Sequence, residues 1–235
     1  MDLPEIGTVQ GNWDLRAGLQ EYLGNFDFRS KRVLDIGAAS GILSFWMEKQ
    51  GAEVVSFDLD KHGDWDLVPF SDWLEYEHAS NDHNTLIDRL NNAYWFCHRL
   101  HHSNAKVVYG NVYDIPEKIG AVDVSIYGCI LLHLGDPFLA LQSGLKLTRK
   151  AVIVTDVLRA QIGSTTEPYM RFLPNAKILE PKDTWWDLPP ELIVRMLGVL
   201  GFQDVNVTYH SHMYDGNENM LYTVVGRRTS EPHLT

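Results

Sequence analysis

The stretch "RVLDIGAASG", Arg32 to Gly41, followed directly by "ILSFWMEKQG", Ile42 to Gly51, decides how the rest of the chain is read. Val33, Leu34 and Ile36 form a short apolar run ending in small residues, the pattern of a strand buried on both faces that turns straight into a helix. Gly37, Ala39 and Gly41 leave the main chain at that corner almost bare. In a doubly wound parallel sheet, ligands gather at the carboxyl ends of the strands, so a bare corner at this place lets the backbone approach one.

The same motif of strand and turn recurs outward from it. "AEVVSFD", "AKVVYG", "VDVSIYG" and "KAVIVTDV" are further Val/Ile-rich runs, and segments of helical spacing such as "FLALQSGLKLT" lie between them. Alternating strand and helix predicts an α/β fold with a mostly parallel sheet and helices on both faces. After "PPELIVRMLGVLGF", a helix opened by proline and closed by Gly201, the segment from Gln203 to Arg228 reads as two strands joined across "YDGNEN". An antiparallel C-terminal hairpin is expected there.

Composition narrows the classes. A chain of 235 residues with 45% hydrophobic content is expected to be one domain over 1–235. A net charge of -11, with no Lys/Arg run longer than two, disfavours a nucleic-acid partner and favours a small-molecule or carrier-bound one. The sequence has no apolar run near the ~20 residues of a membrane span, and "MDLPEIGTVQ" lacks a secretory layout, so a cytoplasmic location without membrane contact is expected. Cys97 and Cys129 sit in apolar stretches and are expected to be reduced core residues. Oligomeric state leaves no trace in the pattern.

A dinucleotide fingerprint needs glycine at 37, 39 and 42, but Ala39 and Ile42 occupy two of these positions. The spacing D-x-G-x-A-x-G, Asp35 to Gly41, instead resembles motif I of the class I S-adenosylmethionine-dependent methyltransferases. Asp58 closes the second strand about 20 residues past the turn, where a carboxylate can accept both ribose hydroxyls or stand as a solvated strand-end group. "YGNVYDIP" is similar to the family's adenine-contacting segment, matching Asn111, Val112 and Asp114. "VDVSIYGCILLHLGDP" is similar to its fourth strand and turn, matching Tyr127, Gly128 and His133. These resemblances run in the family's order from Arg32 to about Val157. They imply a Rossmann-like, seven-stranded fold, S-adenosylmethionine as cofactor, held at Asp35, Gly37, Ala39, Gly41, Asp58, Asn111, Val112, Asp114, Tyr127 and Gly128, and methyl transfer as the activity. The "HLGDP" turn and Trp185/Trp186 resemble the branch with the tRNA wobble-uridine methyltransferases, whose substrate the acidic charge argues against. Two alternatives stay open: a non-catalytic cofactor-binding or regulatory member, and a tRNA-modifying enzyme.

Candidate catalytic groups are His133, a base or merely an organiser of its turn, and Asp156 at the end of "VIVTD", a base, metal ligand or loop carboxylate. Two long segments, 59–105 and 159–191, leave from strand ends and are expected to form the acceptor pocket. Trp65, Trp73 and Tyr76 in the first would form an aromatic lid suited to an apolar or aromatic acceptor, with Trp185 and Trp186 in the second lining or packing. Arg171 and Lys177 offer charge to an anionic acceptor. Leu86, Leu90, Tyr94, Cys97 and His101 share one predicted helical face. His98, His101 and His102 lack acidic or thiol companions, so no metal is expected. Residues 1–30 are expected to be a helical cap, built on "GNWDLRAGLQEYL" with Trp13 and Arg16 near its start.

Overall fold

The computed structural model describes residues 1–60, 65–159 and 168–230, and Arg32–Ile36 lies at its centre as strand β1. Around it run β2 (Glu53–Asp58), β3 (Lys106–Tyr109), β4 (Val122–Gly128), β5 (Thr148–Val157), β6 (Asp204–Tyr214) and β7 (Asn217–Arg227). Their order across the sheet is β6-β7-β5-β4-β1-β2-β3. All neighbours from β5 to β3 are parallel, whereas β7 enters antiparallel against β5 and β6 pairs antiparallel with β7. The expected doubly wound, Rossmann-like sheet with its C-terminal hairpin is therefore present. Asp215 and Gly216, both at positive φ, make the two-residue hairpin turn, which suits the right-handed twist of the strands.

Helices cover both faces because side chains alternate along each strand. Leu34, Ile36, Val55, Phe57, Tyr127, Val152 and Val154 point toward α3 (Pro137–Leu145) and α4 (Pro190–Val199). Val33, Val54, Val124, Ile126 and Ile153 point to the other face, against α1 (Ile42–Lys49) and the N-terminal segment. Each fully buried aliphatic or aromatic side chain here contributes about 1.5–3 kcal/mol. α3 begins where the Asp136 carboxylate accepts from Leu139 N at 2.9 Å, with Pro137 in the first turn where its missing N–H costs nothing.

The N-terminal segment corrects one expectation. "GNWDLRAGLQEYL" is not a helix: Trp13–Asp14 is a short eighth strand on the outer edge of β6, and only Leu19–Tyr22 makes a helical turn. The apolar residues Leu15, Leu19, Tyr22, Leu23 and Phe28 bury against the sheet.

The segment between β2 and β3 is mostly one helix, α2 (Trp73–Leu100), capped by Asp72, whose carboxylate accepts from Leu74 N and Glu75 N. Tyr94 and Cys97 face inward as expected, with Ile87 taking the place predicted for Leu86, which is exposed. Positions 61–64 and 160–167 of the two long segments lie outside the described residues. No helix among the described residues is long and apolar enough to cross a membrane.

Candidate functional site

At the carboxyl end of β1 three residues in a row of five take left-handed backbone angles: Gly37 at φ +78°, Ala39 at +48° and Gly41 at +86°. Glycine adopts this region freely, whereas Ala39 does so at a cost of about 1–2 kcal/mol. Gly37 and Ala38 donate to Phe57 O at 2.9 and 3.3 Å, which moors the turn to β2. A Cβ on Gly37 would stand 2.7 Å from Ile130 Cδ1, the movable end of that side chain, and one on Gly41 would run into the Phe45 ring.

Asp58 ends β2 beside this turn. One of its oxygens accepts from Ala39 N at 2.6 Å and the other from Leu59 N at 2.7 Å. Burial pushes its carboxyl up, against the pull of these two amides. A carboxylate has about four acceptor positions, so further donors can still be taken on.

Asp35 lies one layer below. It is fully buried, it accepts from Ser44 Oγ at 2.5 Å, and a chain of hydroxyls continues through Ser56 to Tyr94 at 2.7 Å per step. Its other oxygen has no partner, and burial raises its carboxyl to about 6. Tyr127 departs further from its expected place. Its ring points into the core and its hydroxyl donates to Ala140 O at 3.2 Å, so only its main chain reaches the strand end. The parity of β4 explains this, since Tyr127 shares the α3 face with Val152 and Val154. Gly128, the next residue, borders the Tyr22 hydroxyl and Leu43 instead.

Across the strand ends, Asn111 Oδ1 caps a turn over Val112–Asp114 by accepting from Tyr113 N at 2.9 Å. Asn111 and Asp114 are exposed and Val112 is half-buried. Tyr113 reaches across to Asp66, whose carboxylate it bonds, and Gly135 N donates to the same oxygen at 2.6 Å. Asp66 thereby ties the segment after β2 to the turns after β3 and β4. No sequence pattern marked Asp66 or Tyr113, because their pairing exists only once three separate loops have come together.

His133 follows β4 in a short turn, Leu131–His133, with Nδ1 facing Asp183 O at 2.5 Å. Asp156 ends β5 nearby. Its Oδ1 accepts from Val157 N at 2.7 Å, while Oδ2 is buried without a partner. Burial pushes its carboxyl up to about 7; the Val157 N–H and the Arg159 charge oppose that push, and the Asp187 charge adds to it. A carboxyl held near neutrality can accept a proton and give it up again in water at pH 7.

The two long segments meet above this end of the sheet. Val68 N donates to Lys182 O at 2.9 Å, Trp185 Nε1 to Asp66 O at 2.7 Å, and Lys182 Nζ lies 2.9 Å from Glu75. Trp65 packs on His83 with ring centroids 5.0 Å apart, whereas Trp73 stacks on Tyr76 at an exposed helix start. Trp186 donates to Gly135 O at 3.2 Å and packs on Phe172. Arg171 pairs with Asp187 at 2.9 Å, so it serves the loop rather than standing open to an anion. Lys177 is exposed. His98 faces Ala105 O and His101 packs on Phe45, and among the described residues no three potential ligand side chains converge on a point.

No family model and no curated protein matches the sequence. Solved structures of similar fold include the N-terminal domain of EvdMO1 with S-adenosylhomocysteine (SAH) bound, at TM-score 0.57 and 13% identity over 90% of this chain and 79% of that one. Magnesium protoporphyrin IX methyltransferase from Synechocystis PCC 6803 with bound SAH gives 0.55 and 12%, over 92% and 82%. The 1,6-didemethyltoxoflavin-N1-methyltransferase of Burkholderia thailandensis, with its namesake compound and SAH, gives 0.52 and 16%, over 91% and 76%. At such identities the likeness carries the fold: this chain has the fold of the class I methyltransferases.

Proposed function

We propose, from a fold shared with methyltransferases and from the Asp58 carboxylate seated beside the β1 turn, that this protein transfers a methyl group from S-adenosylmethionine to a small-molecule acceptor. The observation that carries the reading is the contact of Asp58 with Ala39 N, which sets an acidic group with spare acceptor positions against the left-handed turn. Residues there fit the cofactor: Asp58 for the ribose hydroxyls, the bare Gly37–Gly41 backbone for the methionine end, and Asn111, Val112 and Asp114 for the base. Asp35 supports the turn from below, and Gly128 keeps the end of β4 low. When bound, the cofactor supplies a methyl group already activated on a sulfonium.

The chain's own contribution is then placement and proton handling. Holding the acceptor in line supplies much of the rate in such a displacement. Asp156, raised to about 7, and His133 are the bases for an acceptor that must lose a proton. The segments joined through Asp66, Lys182 and Trp185 form the cover over the acceptor. A small acceptor fits the net charge of -11, and two of the similar structures are named for small molecules, magnesium protoporphyrin IX and 1,6-didemethyltoxoflavin.

Titration calorimetry with SAH tests the reading. The wild-type protein is expected to bind, and Asp58→Ala to bind at least about tenfold more weakly, since one hydrogen bond to a charged group contributes about 1.5–3 kcal/mol. Asp58→Asn keeps the shape of the group and separates its charge from its support of the turn. Absence of SAH binding by the wild type overturns the proposal.

A further inference from the structure

Asp183 stands between two histidines and uses a different group on each. Its main-chain carbonyl lies 2.5 Å from His133 Nδ1, and its carboxylate lies 3.5 Å from His83 Nε2 on α2. A carbonyl only accepts, so Nδ1 of His133 carries a proton, and in the neutral ring Nε2 is then the acceptor. This is the less common tautomer for a free imidazole, and it is the one a base acting through Nε2 requires.

His83 is held in a contrasting way. Its Nδ1 faces Ala79 O at 2.7 Å, and its Nε2 faces the Asp183 carboxylate, so both ring nitrogens meet acceptors. The doubly protonated ring suits both, donating to the carbonyl and pairing in charge with the carboxylate. The charged neighbours agree: Asp82 on the same helix and Asp183 across from it are both acidic, and the Trp65 ring covers the remaining side. Asp183 above all raises His83 from its ordinary imidazole value, helped by the Ala79 carbonyl and Asp82 and opposed by burial, and His83 in turn lowers Asp183 to about 2. Thr184 Oγ1 donates to the other Asp183 oxygen at 3.1 Å, and Trp185 N to Leu132 O at 2.8 Å, fixing the loop beside the His133 turn.

We infer that His83 and Asp183 are positioning residues for the proposed methyl transfer: their ion pair pins the Asp183 carbonyl on His133 and so keeps His133 Nε2 free as a proton acceptor. The inference rests on the proposed function for its use, but not for its geometry. His133 is then a base oriented from outside the sheet, by the joint between the two long segments. The arrangement also sets a pH window. The pair holds while His83 is protonated, and it loosens as pH rises through the raised value of His83.

Nitrogen-15 NMR of the histidine rings in the whole protein reads the tautomer directly, with or without turnover. At neutral pH wild-type His133 is expected to show a protonated Nδ1 and an unprotonated Nε2, and His83 two protonated nitrogens. In His83→Gln and Asp183→Asn the His133 signals are expected to shift toward the ordinary Nε2–H form. With an identified acceptor, kcat is expected to fall between about tenfold and 100-fold, the cost of a misplaced group, at unchanged SAH affinity and with the alkaline limb of the pH profile moved. An Nε2–H tautomer in the wild type, or an unaltered His133 in both variants, overturns the inference. Failure of the wild type to bind SAH would instead defeat the functional reading, and the ring spectra would still decide the ion pair.

Discussion

The two ends of the parallel strands are built differently. At the amino ends charged groups are paired: Arg32 donates to Ile119 O at 2.7 Å and Ala121 O at 2.8 Å, and Lys150 lies 2.7 Å from Asp123. An open depression of about 550 Å³ lies there, lined by Ser30, Arg32, Glu48, Glu53, Asn104 and Asp123 among others. At the carboxyl ends two carboxylates are buried with one oxygen each unpartnered, Asp35 and Asp156; left-handed non-glycine residues stand at both ends, Ala39 and Cys129 here and Ser30 and His102 ahead of β1 and β3. The unmet hydrogen-bonding capacity of a buried carboxylate costs free energy, and a fold keeps it where something else depends on it.

The strongest way to break the contrast is at Gly37. Gly37→Val combines a β-branched residue at φ +78° with a Cβ 2.7 Å from Ile130 Cδ1. Left-handed strain and overpacking together are expected to cost about 2–5 kcal/mol in urea unfolding, and SAH binding is expected to vanish in calorimetry. A variant of wild-type stability would mean that the turn is not under the strain its angles imply.

Next in size is the pH dependence of the buried carboxylate. Asp156 is raised to about 7 from an unfolded value near 4, so between those limits the folded state holds a proton that the unfolded chain has released. Stability from this group is full below about pH 4 and falls as pH rises to about 7. Asp35, raised to about 6, adds a slope of the same sign, while His210, lowered to about 4 by burial, adds the opposite one up to its unfolded value. Asp156→Asn has no charge to bury and is expected to be more stable than wild type at pH 8, by up to about 4 kcal/mol, with the difference gone at pH 4. Equal pH profiles for both proteins would show that Asp156 titrates normally and is no poised base.

The contrast also marks how far the sequence could be read. Strand and helix positions followed from local periodicity, because each run of Val and Ile, and each proline or glycine boundary, speaks for itself within about ten residues. The turn at Gly37–Gly41 was legible for the same reason. Orientation was harder: Tyr127 sits at a strand end yet belongs to the α3 face, and Asp35 lies under the turn it was expected to present. Hardest were residues whose role is a meeting of distant loops. Asp66, His83 and Asp183 carry no spacing signal, since Tyr113 and Gly135 meet Asp66, and His83 and His133 meet Asp183, only in the folded chain. The N-terminal segment shows a related limit, because an apolar pattern over 15–23 does not distinguish a covering helix from an edge strand with one turn.

The smallest effect is expected at the amino ends, and it tests whether pairing there is only structural. Arg32→Ala removes the donors to the carbonyls of Ile119, Gly120 and Ala121 and a long 3.4 Å contact with Glu53, an exposed pair that adds little. The three carbonyls are only part-buried, so the loss is expected to stay near the low end for charged hydrogen bonds, about 1.5 kcal/mol in urea unfolding. SAH affinity is expected to remain within the error of calorimetry, because β1 would keep its register with β2 and β4 through backbone bonds alone. A fall in affinity out of proportion to the loss of stability would show that the amino end of β1 is coupled to the turn at its other end. The two ends would then work as one unit, and the division between an end of paired charges and an end of buried, unpartnered carboxylates would have to be given up.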